Sequence, residues 1–544
     1  MCGIALIAGD GADPAAFRAM LAALTPRGEV TECASGTRLL AGTRRLRIVD
    51  RERAVQPWVS AGGRWLLCFN GEIYNHRGLR SELAGLGCSF RSGSDTEVVA
   101  EAFGQWGDGA VSRLRGEFAF AIAERESGRV YLARDPVGVK PLYWSSAAGR
   151  LHVASEIKAL VPAGATIREV PPGSHGWAEP GGEPRLRRSS ALLDPVAAGA
   201  GHPAIDDAAE AASLVRDTLA DAIAVRLDTD LPVGVILSGG LDSTLTLLHV
   251  RQRHPDCVAF TVGTAGSEDV RYARRLTADL GVRHEVIELS PRQIRLAEVR
   301  DAIRISELTE YGDIINAIVS VPLFRRIAQC GIKVVLTGDG SDELFGGYPM
   351  YDQVAPAQAR RLFLHKIANL GRTELQRVDR TAMAAGVEAR VPFLDPAMVA
   401  LALRLPLSLK VRDGAEKWIL RQAFTDLLPG YIKARRKNPM SHASGLHERA
   451  RLYKPAFARI HRSFGYDLHE PVRRDFSILL EQCGNDLDLA VAQARARLDY
   501  SAREHVRDLA GAARWNARTL AGSAAGSLAG SLPRAGRGRP RTAG

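Results

Sequence analysis

Residues 232–244 read PVGVILSGGLDST. A β-favouring run from Val233 to Leu237 passes straight into Ser238-Gly239-Gly240-Leu241-Asp242-Ser243, and a helix pattern begins at about Ser243. The physics of such a turn is that of an anion site. Glycines let the backbone approach a phosphate, the free N–H groups and the helix N-terminus face it, and Ser238 and Ser243 add hydroxyl donors. Asp242 supplies a carboxylate suited to Mg²⁺. The motif is longer than a GxG turn and lacks the lysine of a P-loop, which points to chemistry at the α-phosphate of a nucleotide. A plain tight turn between strand and helix would look similar taken alone, so the neighbouring elements decide.

Outward from this point the order repeats. Ala208 to Leu227 reads as an amphipathic helix, Val258 to Val262 as a strand, 269–280 as a helix, His284 to Glu288 and Lys333 to Thr337 as further strands. Alternating β and α elements predict a mostly parallel sheet covered by helices. Gly338-Asp339-Gly340-Ser341-Asp342-Glu343 follows the last strand directly, which places its acids at the carboxyl end of the sheet, where ligands bind. Such acids suit Mg²⁺-pyrophosphate. Lys417, in Glu416-Lys417-Trp418, offers a compact cation, although a lone helix lysine is ordinarily a solvated charge.

Before residue 180 the texture differs. Short apolar runs, Cys2 to Ala8, Leu66 to Phe69, Phe118 to Ala123 and Val130 to Ala133, alternate with Gly-rich turns and read as strands. Glu179 to Pro203 has linker composition. Cys2 follows the initiator Met, so removal of Met1 would give residue 2 both a thiol and a free α-amine able to take the thiol proton. Asn70-Gly71-Glu72 after a strand can offer an amide and a backbone N–H to one point, as an oxyanion hole requires. Arg45 can grip a carboxylate, and Ser92-Gly93-Ser94-Asp95 provides an acid for an amino group. Together these describe a site for glutamine. Singly, each has a bland reading as a turn, a surface charge or a cap.

The bulk properties exclude several classes. The 544 residues are 46% hydrophobic and 24% charged, enough for two or three domains with real cores. Six of the arginines behind the net charge of +11 lie in residues 511–544, which carry no acid, so no broad basic face for nucleic acid is expected. Seven cysteines without a CxxC pair suit a reducing cytoplasm, and no apolar stretch approaches the 18–20 residues of a membrane span. The Ala/Gly/Ser/Arg stretch at the end predicts a disordered tail.

MCGI, RLRIVD (45–50), FNGEIYNH (69–76) and SGSDTEV (92–98) resemble the glutaminase domain of class II glutamine amidotransferases. PVGVILSGGLDST, VLTGDGSDELFGGY (335–348), DRTAMAAGVEARVPFLD (379–395) and GAEKWILRQAF (414–424) resemble the synthetase domain of glutamine-hydrolysing asparagine synthetases. The resemblance implies an α+β N-terminal-nucleophile (Ntn) glutaminase sandwich over 2–185 and an α/β parallel-sheet ATP-pyrophosphatase domain over 205–450. A helical extension over 451–510 and the tail, 511–544, would follow.

It also implies roles: Cys2 as nucleophile, Asn70 and Gly71 as oxyanion hole, and Arg45, Glu72 and Asp95 as glutamine ligands. Leu237, Ser238, Gly239, Gly240, Asp242, Ser243, Val262, Gly338 and Lys437 would bind ATP, Asp242 and Asp342 would hold Mg²⁺, and Lys417 would stabilise the reacting centre. Asp339, where many relatives carry Glu, is a candidate base. The substrates implied are glutamine, ATP and aspartate or another acid, with no nucleic acid or membrane partner, and the family suggests a cytoplasmic homodimer. One departure stands out: the family's RGPD loop is Arg27-Gly28-Glu29-Val30 here.

Three alternatives follow from the same residues. The acceptor could be a different carboxylic acid in specialised metabolism, which the unusual Asn438-Pro439-Met440-Ser441-His442 segment and the basic tail encourage. Intramolecular amide closure, as in β-lactam synthetase relatives, needs no glutaminase, and the complete Cys2, Asn70 and Asp95 set speaks against it. A non-enzymatic scaffold would require two catalytic sets to arise by accident.

Overall fold

The strand Cys2–Ala8 is buried along its whole length, and its side chains serve two different cores. Ile4, Leu6 and Ala8 face a second sheet, while Ala5 and Ile7 meet Phe17, Met20 and Leu21 of the helix Pro14–Ala23. This is the period-2 alternation of a strand with both faces covered. Gly116–Glu124 does the same with a sharper division of size. Phe118, Phe120 and Ile122 pack towards the helices His76–Gly85 and Asp95–Trp106, and Ala119, Ala121 and Ala123 line the narrow space between the sheets.

In this computed structural model, which describes residues 1–189, 204–438 and 440–494 with 506 and 510, those strands belong to two facing six-stranded antiparallel sheets. The first runs Arg168–Glu169, Tyr143–Ala147, Arg150–Ala154, Cys2–Ala8, Leu39–Arg45, Val30–Gly36 from edge to edge. The second runs Arg185–Arg188, Ser174–Ala178, Val130–Arg134, Gly116–Glu124, Trp65–Ile73, Trp58–Val59. Helices cover both outer faces, giving the sandwich expected from the sequence.

The second half is built on a five-stranded parallel sheet in the order Arg283–Glu288, Val258–Gly263, Val233–Ile236, Val334–Leu336, Glu388–Arg390. The chain order reverses beside Val233–Ile236. Ligands bind outside the carboxyl ends of strands at such a switch point, and there the loops beginning at Ser238 and Gly338 lie side by side. An added Cβ on Gly338 would come within 2.9 Å of the Asp242 Cβ.

Two local expectations are corrected. Arg185–Arg188, inside the stretch of linker composition, is an edge strand paired with Ser174–Trp177; three arginines on an exposed edge give no apolar alternation to detect. Glu388–Arg390, within the stretch from about Asp379 to Tyr500 whose sequence suggests mainly helix, is the last strand of the parallel sheet. Beyond residue 450 the described chain is helical, with Lys454–Ser463, Phe476–Gln482 and Leu487–Gln493. The rest of the linker and the tail lie outside the described residues. Among the described residues no helix is long and apolar enough to cross a membrane.

Sandwich and parallel-sheet unit meet through buried charge. Arg27 donates from Nη1 to Asp379 Oδ2 at 2.7 Å and from Nη2 to Oδ1 at 3.1 Å, and also reaches Glu156 at 2.7 Å. Arg380 pairs with Asp379 and with Glu307, both at 2.9 Å. Glu307 accepts the backbone N–H groups of Ile157 and Lys158 in return. A second set joins Glu117 to Lys140, Arg226 and the Val391 N–H, and Arg226 to Asp395. Burial would raise the Asp379 and Glu307 carboxyls, but Arg27 with Arg380, and Lys158 with Arg380, outweigh it and hold each at about 2.

Their folded-state values lie below those of an unfolded chain. Their contribution to stability is therefore complete above about pH 5 and drains away as pH falls towards 2. Asp379→Ala should cost ~3–5 kcal/mol, because it removes the carboxylate that two buried guanidinium groups share and leaves their charge under-compensated. Thermal unfolding at pH 7.5 checks this, with Arg38→Ala, which breaks an exposed pair with Asp10, expected to change little.

Candidate functional site

At the edge of the sandwich that faces the second unit, the register Cys2↔Arg45 sets the first residue pair of the central strand against Leu39–Arg45. The Cys2 backbone N–H donates to Asn70 Oδ1 at 2.9 Å. Asn70 is fully buried, and among the described residues its Nδ2 has no hydrogen-bond partner. An unpaired buried donor costs about 1–3 kcal/mol, and here it sits beside a thiol. Gly71 has to be glycine, since a Cβ would lie 2.2 Å from the Glu117 carbonyl oxygen. Burial pushes the Cys2 thiol up, against the pull of the N-terminal ammonium.

Around the thiol the acids are crowded. Asp95 accepts the N–H groups of Ile73 at 3.0 Å and Thr96 at 2.8 Å. Its carboxyl is raised by burial, and that of Glu72 is raised further by burial, Glu388 and Asp95 together. A cation entering here would meet two carboxyls without a strong partner. Arg390 approaches Glu72 only to 3.8 Å. Arg45, in contrast, does not offer an open fork. Glu32 on the adjacent strand takes it bidentately at 2.9 and 3.0 Å, and the Arg51 carbonyl takes Nη1.

Sequence reasoning missed Gln56, whose Nε2 donates to Cys2 Sγ at 3.6 Å while its Oε1 accepts the Phe69 N–H. It also missed Glu388, which holds the Met1 ammonium at 3.0 Å in full burial. The Met1 side chain packs with Leu46, Ile48, Val334 and Met383, so one apolar cluster runs from the Cys2 site to the parallel sheet.

At the switch point the second set converges. Lys417 Nζ lies 2.5 Å from Asp242 Oδ2 and 2.6 Å from Asp342 Oδ1, and Lys437 Nζ lies 2.6 Å from Asp342 Oδ2. Burial would raise the Asp342 carboxyl, but Lys417 and Lys437 hold it well below the usual range. Two carboxylates thus surround one compact cation. That donor set suits a hard metal that keeps phosphate oxygens as its other ligands; among the described residues no cluster of three or more His, Cys, Asp or Glu forms an all-protein cage.

Gly239 has φ +67°, and a Cβ there would strike Tyr272 at 2.7 Å, so the turn requires glycine. Leu237 and Val262 are buried at the ends of neighbouring strands. Arg435, unforeseen, braces the turn by donating to the Ser238 carbonyl at 2.7 Å. Asp339 is ion-paired with Arg377 at 2.5 Å rather than open.

Residues 1–172 match the family model described as a glutamine amidotransferase domain, and residues 214–359 and 354–514 match the model described as asparagine synthase. The chain is 36% identical over 426 residues to asparagine synthetase B (glutamine-hydrolysing) of Escherichia coli, covering 74% of each. It is 34% identical over 430 residues to glutamine-hydrolysing asparagine synthetase 3 of Arabidopsis thaliana, covering 74% of this chain and 71% of that one. The chain belongs to the glutamine-hydrolysing asparagine synthetase family. It is accordingly an enzyme of the glutamine-dependent, ATP-using amidating kind.

Within that family the RGPD departure takes a physical form in this chain. Arg27 is spent on Asp379 and the Cys2 carbonyl, and Glu29 pairs with Lys333 at 3.0 Å, so the loop is fastened to the second unit by charge.

Gly347 packs its α-carbon against the acid at the switch point: an added Cβ would fall 1.8 Å from Asp342 Oδ1. Displacement of a reacting group by about 1 Å can cost ~10²-fold. Gly347→Ala should therefore lower ATP turnover to AMP by about that factor, whereas Gly62→Ala, with no atom within 4 Å, should leave it unchanged.

Proposed function

We propose that the protein makes an amide from a carboxylic acid, with aspartate as the first candidate. Glutamine supplies the nitrogen, ATP activates the acid, and glutamate, AMP and pyrophosphate are released. The observation that carries the reading is the pair of chemically complete sites joined by the apolar cluster of Leu46, Ile48, Val334 and Met383. Ammonia crossing such a surface stays neutral and nucleophilic, whereas in water it is protonated.

Loss of Met1 would convert the nitrogen now bonded to Asn70 into the free α-amine of Cys2. That amine takes the thiol proton, and the sulfur attacks the side-chain amide of glutamine. Asn70 Nδ2 and the Gly71 N–H stabilise the developing oxyanion. Glu72, which Arg390 approaches only to 3.8 Å, and Asp95 take the α-ammonium, and Arg45 takes the α-carboxylate by exchange with Glu32. The adduct collapses with loss of ammonia, the Cys2 ammonium returning its proton to the leaving nitrogen, and water hydrolyses the remaining glutamyl thioester to glutamate.

In the second site the Ser238–Ser243 turn and Gly338 hold the pyrophosphate, with Leu237 and Val262 beside the base. Mg²⁺, held by Asp242 and Asp342, would neutralise phosphate charge. Lys437 then turns to phosphate, and Lys417 faces the charge that builds on the acyl-adenylate and on the tetrahedral adduct with ammonia. The partly buried Asp339–Arg377 pair supports an α-amino acid as acceptor, because it carries one anion for the ammonium and one cation for the α-carboxylate. Arg377 takes only Oδ1 of Asp339, so its other oxygen is left for the candidate base role.

Cys2→Ala should abolish glutamine-dependent synthesis and retain synthesis from ammonium salts; loss of both would contradict two separate sites. Mass spectrometry of the product from glutamine, ATP and a panel of acids tests the acceptor. Asparagine is the expected product, and AMP release with another acid but none with aspartate would transfer the reading to that acid.

A further inference from the structure

Away from both sites, the helix Pro356–Asn369 and the turn of helix Leu407–Lys410 enclose a groove of about 670 Å³. This is within the usual range for small-molecule sites. Its walls are apolar, with Phe363, Leu403, Leu405 and Val411 among them. Among the described residues that line it the charged ones are Arg360, Arg404 and Lys410, with no Asp or Glu.

Lys410 is the unusual member, at 2% exposure. Among the described residues no carboxylate or carbonyl takes its ammonium, which lies over the Phe363 ring at 3.8 Å. Buried lysines are rare unless paired. Burial, with Arg360 adding like charge, pushes this one down to about 7. An anion in the groove would oppose both effects by favouring the charged ammonium.

The groove also has an address. Behind its wall lies the loop that carries Asp342: a Cβ on Gly346 would meet Val411 at 2.7 Å and the Lys410 Cβ and Phe363 ring at 3.6 Å. Only these lining residues would separate an occupant from that loop.

From the apolar walls and the buried Lys410 ammonium, which has no carboxylate partner among the described residues, we infer that this groove is a binding site for a monocarboxylic acid with an apolar body, its carboxylate on Lys410 and its chain along Phe363 and Leu405. Neutral molecules of the same shape gain the walls but not the charge. Phosphate or sulfate gains the charge but not the walls.

Octanoate and octan-1-ol, titrated calorimetrically into the full chain, test this. Octanoate should bind at one saturable site, about 10- to 100-fold more tightly than the alcohol, as a charge-assisted contact in a dry groove predicts. Lys410→Met, which keeps the shape and removes the charge, should bring octanoate down to the level of the alcohol and leave the alcohol unchanged. This also separates the groove from any binding of octanoate as an acceptor acid at the switch point. Leu405→Trp should block both probes. The inference fails if acid and alcohol bind alike, if no saturable octanoate site exists, or if Lys410→Met leaves octanoate binding intact. It fails equally if octanoate binds only after residues 190–203 are replaced by glycine and serine, since the groove would then belong to the chain's own connection.

Discussion

The bidentate grip of Arg27 on Asp379 fixes the geometry on which everything else depends. Charges this deeply buried are tolerated only when each has its partner, so the interface has one acceptable docking. Arg27 belongs to the loop that also touches the Cys2 carbonyl, and Asp379 to the helix that carries Arg380 and Met383. The nucleophile's strand and the roof of the apolar cluster are thereby held in one register. Glu307, tied to the backbone of Ile157 and Lys158, repeats the device on the other side of the loop. Apolar contacts alone would allow sliding; paired charges with directional hydrogen bonds do not.

Given that docking, the chemistry follows from placement. The sandwich brings a thiol, an unpaired amide donor and two under-compensated carboxyls to its edge. The parallel sheet brings two carboxylates and two lysines to the point where its chain order reverses. Between them lies the space filled by the Met1 side chain, and the Met1 ammonium is held by Glu388 from the parallel-sheet side. In the mechanism proposed above, removal of Met1 would both free the amine of Cys2 and open apolar volume towards the second site.

Much of this was legible in the sequence because strands, Gly-rich turns and short motifs are local. The parallel sheet was readable from alternating periodicities, and Cys2, Asn70, Asp242 and Lys417 fall where motif spacing puts them. What escaped reading was cross-chain. Glu32 meets Arg45 only through the pairing of two strands, and Gln56 reaches the sulfur from a loop with no pattern of its own. Arg27 finds Asp379 across 352 positions. Glu388–Arg390 hid its strand in three residues, two of them charged and buried against each other. In each case the decisive quantity was a contact between distant segments, which neither composition nor periodicity encodes.

In the proposed reaction nitrogen passes from Cys2 to the activated acid inside a closed apolar interface. Glutamine labelled with ¹⁵N in its side-chain amide, turned over in excess unlabelled ammonium chloride below the concentration that supports synthesis alone, tests it directly by the mass of the product. Near-complete ¹⁵N in the new amide is the predicted result. Dilution of the label towards the composition of the surrounding ammonium would show that the nitrogen meets bulk water first, and would contradict it.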